Sequence, residues 1–234
     1  MLFDPVYWIV MGVGLLLSLW AGSKVKSTFQ RYSEVPSRHG LNGAQVARAI
    51  LQAHGVHDVT VEPVAGSLTD HYDPSSRTLR LSEPVYHSTS VAALGVAAHE
   101  VGHAIQHANR YAMLQFRSAI VPLVGIGSNV GIWVMILGLG MGAASGSMTM
   151  AWIGLAMFAT TALFTLVTLP VEFDASKRAL ATLQSAGVLA SDELDGAKKV
   201  LDAAAMTYVA AAAASVMTVL YWAFHILGAQ NNRE

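Results

Sequence analysis

The run Ala97-Ala98-His99-Glu100-Val101-Gly102-His103-Ala104-Ile105-Gln106-His107 decides how the rest of this chain is read. It holds His-Glu-x-x-His, the spacing with which one helix presents two imidazoles to one metal ion. Four residues advance a helix by ~6 Å and turn it by about 400°, so His99 and His103 stand one above the other on one face. Two neutral imidazole nitrogens at ~2.0–2.1 Å can share a zinc ion. Glu100 projects beside that ion rather than onto it. There its carboxylate can take a proton from a water on the zinc and later pass it to a leaving amine. The run is rich in small, helix-forming residues, as the motif requires. The competing reading is an amphipathic helix whose histidines are merely interfacial.

A third protein ligand is needed, with the fourth position left for water. His107 continues the i+4 series, but on an unbroken helix it lies ~12 Å along the axis from His99 and ~80° around it. The metzincin arrangement, a glycine turn followed by a third histidine, fails because those positions hold Gln106 and Asn109. His107 therefore reads as a neighbour of the ligands or as surface.

Of the 234 residues, 53% are hydrophobic and only 12% charged. Soluble domains carry about 25% charged residues, so the composition points to a membrane protein. Cysteine is absent, which excludes disulfides and thiolate metal sites. A formal charge of −1 gives no basis for nucleic-acid binding.

Residues 5–22 carry no charge and are just long enough to cross a bilayer. A cleaved leader is the alternative, but that needs a basic start and only Asp4 is charged there. Residues 1–22 are thus the first membrane segment, and 23–117 the main polar region. Within the latter, Leu41 to Gly55 reads as an amphipathic helix with Val46, Ile50 and Leu51 on one face. Residues 59–63 and 77–82 alternate like short strands. Gly66 to Pro74 lies between them as a connection whose Asp-Pro marks a turn. Such strands can pair, and an exposed edge can hold an extended peptide by strand addition. His71 and Tyr72 in that connection are candidates to stabilise an oxyanion, against the reading of a turn residue and a packed aromatic. Ser88-Thr89-Ser90 supplies an N-cap for a helix that begins near Val91 and carries the metal motif. Gly102 costs that helix ~1 kcal/mol, which implies that another element approaches closely there.

Residues 118–143 and 149–170 are two more spans, joined by a Gly/Ala/Ser loop around residues 144–147. Gly127/Gly131 and Gly138/Gly142 have the spacing that lets membrane helices pack tightly, or are simply tolerated there. A second polar segment, 171–204, has a break near Gly187 and a candidate N-cap at Ser191. A last span and tail make up 205–234.

Of the 14 Lys and Arg residues, 13 fall in the two polar segments and only Arg233 elsewhere. Four spans put both polar segments on one side, and the basic bias assigns that side to the cytoplasm. Glu172, two residues beyond Pro170, then shares a membrane face with His99 and His103 and is the candidate third ligand. Asp174 is the fallback, and a capping or Arg178-pairing role is the plainer alternative for Glu172.

These residues resemble the YugP-like family of bacterial membrane zinc metallopeptidases. The shared marks are Leu68-Thr-Asp-His-Tyr-Asp-Pro74, Arg80-Leu-Ser82 and Val96 to Gln106. More distantly, Glu172-Phe-Asp-Ala-Ser176 is similar to the Glu-(Tyr/Phe)-x-Ala-Asp motif of HtpX-type gluzincins. That resemblance implies Glu172 as third ligand. It departs at Ser176, where those proteases place an aspartate that supports a ligand histidine.

The expected fold is an α-helical polytopic membrane protein of about four transmembrane helices, with a small α+β zincin-like cytoplasmic catalytic region. The expected activity is a Zn2+-dependent endopeptidase of the inner (cell) membrane, acting on membrane or juxtamembrane protein substrates. His99, His103 and Glu172 hold zinc, Glu100 is the general base, and His71 and Tyr72 are candidate helpers. The rival reading is a non-enzymatic membrane scaffold with a structural zinc, although such a site would close all four positions. A transporter would place charges inside its spans, and these have none.

Overall fold

The computed structural model describes residues 4–231, with backbone alone at 143–145, so Arg233 lies outside the described residues. The chain falls into two units. One comprises 21–115 and 170–207, the other 4–20, 116–169 and 208–231 of the described residues.

The first unit begins within α1 (Pro5–Ser33), which continues past the apolar stretch through Lys24, Lys26 and Arg31. Next, α2 (Gly43–Ala53) starts on a capping box. Asn42 Oδ1 accepts from the Gln45 amide and Gln45 Oε1 from the Asn42 amide, both at 2.9 Å. Its predicted face is buried at Val46, Ile50 and Leu51.

The strands β1 (Thr60–Val64), β2 (His71–Asp73) and β3 (Thr78–Ser82) form one sheet in the order β1-β3-β2. β1 runs parallel to β3 and β2 antiparallel to it. The connection expected between the two longer strands therefore contributes a strand of its own. Three residues are too few to display an alternating pattern, and β2 forms because β3 offers it a partner, with Tyr72 opposite Leu79. The expected turn follows it: Asp73 Oδ1 accepts from the Ser75 amide at 2.9 Å, and Oδ2 from the Ser76 hydroxyl at 2.7 Å. Pro63, which has no N–H to give a ladder, sits on the edge strand β1.

After the short α3 (Glu83–Tyr86) comes α4 (Val91–Ala108), the motif helix. The Ser90 hydroxyl caps it, accepting from the Ala93 amide at 3.2 Å. Leu94 and Val101 of α4 join Ile50, Leu79 and Leu81 in a core with no more than 2% of any of these side chains exposed.

The remaining helices are α5 (Ala112–Ser145), α6 (Thr149–Ser185) and α7 (Ser191–Asn231). Gly187, with φ +64°, lies in the break expected there between α6 and α7. Helix and last span, read separately from the sequence, are one continuous α7, because nothing in its alanine-rich middle breaks a helix. Among the described residues four helices, α1, α5, α6 and α7, are long and apolar enough to cross a membrane. In the second unit a side chain at Gly127, Gly131 or Gly138 would run into the backbone of α6 at Met157, Phe158 or Ala151. The glycine spacing on α5 is thus a packing face.

Candidate metal centre

Two helices build the site. α4 carries His99, Glu100 and His103, and the polar part of α6 carries Glu172. What lets these helices meet is Gly102. A Cβ added there would stand 2.7 Å from the Ala175 carbonyl oxygen, so only glycine allows the approach that the sequence implied. About two turns earlier on α4, Gly95 lies close to Ala197 of α7.

The result is a convergent donor set. One ligand atom from each of His99, His103 and Glu172 lies within 4.8 Å of the others. Glu172 Oε2 is 3.3 Å from His99 Nε2 and 3.5 Å from His103 Nε2. The two imidazoles meet edge to face, with centroids 4.8 Å apart.

The other ring nitrogens fix how these donors point. His99 Nδ1 is 3.1 Å from the Ser176 hydroxyl, so the serine that replaces the expected aspartate does reach a ligand histidine. His103 Nδ1 is 3.0 Å from Gln106 Oε1. Gln106 is fully buried, and its Nε2 donates to the Val171 carbonyl and to Asp174 Oδ2, both at 2.8 Å. With both amide hydrogens committed, its oxygen must accept, so His103 donates from Nδ1. In the neutral ring the lone pair is thereby left on His103 Nε2, facing Glu172. Asp174 in turn accepts from Arg178 Nε at 2.5 Å, and that guanidinium lies over the Tyr111 ring. Asp174, the fallback ligand, is therefore a support of Gln106 and not a member of the donor trio. Two imidazoles and one carboxylate oxygen are a donor set that fits zinc.

Burial pushes the Glu172 carboxyl up, but hydrogen bonds and charge from His103 and His99 outweigh it and hold its pKa well below the usual carboxylate range. At His103 burial disfavours the imidazolium, yet Glu172, Glu100 and Gln106 more than offset this and raise its pKa. Glu100 is buried and acts electrostatically on His103 and on Asp70. Asp70 accepts from the Ser82 amide at 2.7 Å and from its hydroxyl at 2.9 Å. Its pKa is raised, first by burial and further by Glu100, against the pull of Ser82. The supporting role of Gln106 escapes a sequence reading because its partners Val171 and Asp174 lie over sixty residues away.

His71 and Tyr72 lie outside the donor trio, on β2, which packs against α4. His71 is exposed, with Nδ1 2.8 Å from the Thr69 carbonyl. The Tyr72 hydroxyl is 2.8 Å from His107 Nδ1, which explains His107 as a partner of the sheet.

Comparison with known proteins points to the same metal. Residues 7–227 match the family described as "Putative neutral zinc metallopeptidase". The chain is 48% identical over 204 residues to the "Putative membrane protease YugP" of Bacillus subtilis (strain 168), covering 87% of this chain and 89% of that protein. No solved structure matches it. By this match, and with four helices fit to cross a bilayer among the described residues, the chain belongs to this family of zinc metallopeptidases and is a membrane protein.

Proposed function

We propose that the protein is an endopeptidase that cuts peptide segments near the cytoplasmic face of the membrane. The observation that carries this reading is the convergence of His99, His103 and Glu172 with Glu100 buried beside them. Three donors rather than four among the described residues suit a catalytic site better than a structural one. Zinc, when bound there, supplies Lewis acidity toward the scissile carbonyl and toward water.

The chain's own groups do the rest. Ser176 and Gln106 hold the two imidazoles in orientation, so neither ring must reorganise during turnover. Glu100 takes the proton of the attacking water and delivers it to the leaving amine nitrogen. The peptide lies extended along the outer edge of β2, which has β3 on its other side and α4 beneath it. His71, whose Nε2 has no hydrogen-bond partner among the described residues, and Tyr72 are the groups on that strand available to steady the carbonyl oxygen. Two features support the substrate class: Glu172 follows the apolar segment ending at Leu169 by three residues, and basic residues concentrate in the polar segments.

The test is Glu100→Gln in the purified, zinc-loaded protein. It keeps zinc and loses peptide hydrolysis by about 10²–10⁴-fold. Hydrolysis at the wild-type rate in this variant would remove Glu100 from the reaction.

A further inference from the structure

Beyond the metal centre, the same unit holds an open cleft of about 680 Å3. Its polar rim is built from His54, His57, Asp58, Arg77, His107 and Arg110. Three observations give it a role.

The first is position. Ala104, His107 and Ala108 of α4 form one wall, and Tyr72 of β2 lines it as well. His107 stands one helical turn, ~6 Å, beyond His103. An extended peptide covers that distance in about two residues. The cleft therefore adjoins the strand edge and the motif helix at once.

The second is charge. The rim carries two arginines and one carboxylate, Asp58, and that carboxylate pairs with Arg77. Arg110 has no acidic partner among the described residues.

The third is backbone strain. Three non-glycine residues among those described have positive φ, and two of them are Arg77 at 49° and Arg110 at 51°. Arg77 closes the β2–β3 turn. Arg110 ends α4, where the Arg110 amide bonds the His107 carbonyl and the Tyr111 amide that of Gln106. Glycine adopts this conformation freely and L-residues do not. Both positions nevertheless carry a long cationic side chain, and both side chains line one cleft. Such retained strain gathers where a side chain has a task.

We infer that this cleft binds a carboxylate of the peptide substrate, an acidic side chain about two residues from the bond that is cut, with Arg110 as its principal partner. The inference rests on the endopeptidase reading above for the identity of the ligand, and the experiment separates the two. Full-length, zinc-loaded protein in detergent is given fluorogenic peptides identical except for one Glu or Gln, moved stepwise along both sides of the cleaved bond. A Glu about two residues away raises kcat/KM about tenfold over Gln, the size of a charge-assisted hydrogen bond. In Arg110→Gly, which relieves the strained backbone and so retains the fold, this ratio falls to about one, and in Arg110→Lys part of it returns. The same peptides are titrated by fluorescence anisotropy against Glu100→Gln protein, which requires no hydrolysis. If no position prefers Glu, or the preference survives in Arg110→Gly, the inference is overturned while hydrolysis itself stands. If nothing is cleaved yet Glu peptides bind in an Arg110-dependent way, the carboxylate site stands and the endopeptidase reading falls. If sn-glycerol 3-phosphate displaces a bound Gln peptide as readily as a Glu peptide, the cleft reads a phosphate headgroup and the peptide assignment is overturned.

Discussion

Substituting Gly102 by alanine tests whether the α4–α6 approach sets the spacing of the donors. The added Cβ would lie 2.7 Å from the Ala175 carbonyl oxygen and 3.1 Å from its Cα. Both neighbours are backbone and cannot rotate away. Restoring ordinary contact requires the helices to part by at least roughly 0.7 Å at this point. Metal–ligand distances hold within about ±0.2 Å, so donors carried on two separated helices cannot all keep their bonds. Overpacking of this kind costs about 1–3 kcal/mol of stability, and zinc affinity should fall by at least about tenfold. The assay is a zinc titration against a chromophoric chelator, with thermal unfolding of the zinc-free protein alongside. Gly22→Ala is the control. Nothing lies within 4 Å of a Cβ there, so it should be neutral, or stabilising by up to about 1 kcal/mol. Wild-type zinc affinity and stability in Gly102→Ala would refute the idea that this contact sets the site.

Three further outcomes follow from the same geometry. Gln106→Leu keeps the side-chain volume but removes the acceptor of His103 Nδ1, and zinc affinity should drop about 10–100-fold in the same titration; an affinity equal to wild type would mean that His103 needs no such partner. Asp174→Asn should still bind one zinc per chain at saturation, because Asp174 supports Gln106 and is not a donor; zinc loss by elemental analysis would make it a ligand. Zinc and protons compete at His103, whose raised pKa keeps it protonated below that value in the zinc-free protein. Affinity should therefore rise as pH rises through the His103 pKa, by up to about tenfold per unit of pH below it for the proton displaced from that ring. Glu172, with its lowered pKa, is already ionised and releases none. Below the His103 pKa, calorimetric titration in two buffers of different ionisation enthalpy counts the protons released, and a count of zero there contradicts this.

Much of the fold and site is legible in the residues because the physics is local or periodic. The i, i+4 spacing puts His99 and His103 on one face, the apolar lengths mark the four helices fit to cross a membrane, and Gly102 announces a close neighbour. Glu172 is reachable only by combining the topology with a family resemblance, since a carboxylate after an apolar span has several uses. The strand β2 escapes because three residues carry no period and owe their conformation to β3. Gln106 stands out in the sequence only for failing to be a glycine, and its actual role depends on Val171 and Asp174, over sixty residues away. The cleft with Arg77 and Arg110 is invisible for a different reason: positive φ at an arginine contradicts every local rule that sequence reading uses.

The central claim is that two histidines of α4 and one carboxylate of α6 hold a single zinc. Zinc-edge X-ray absorption on the purified wild-type protein and on Glu172→Ala tests it most directly. The wild type should give two imidazoles at ~2.0–2.1 Å with oxygen completing the shell. Glu172→Ala should keep the imidazole scattering, lose a carboxylate oxygen and hold less than one zinc per chain. A wild-type spectrum with fewer than two imidazoles, or a Glu172→Ala spectrum and zinc content identical to wild type, would contradict the account.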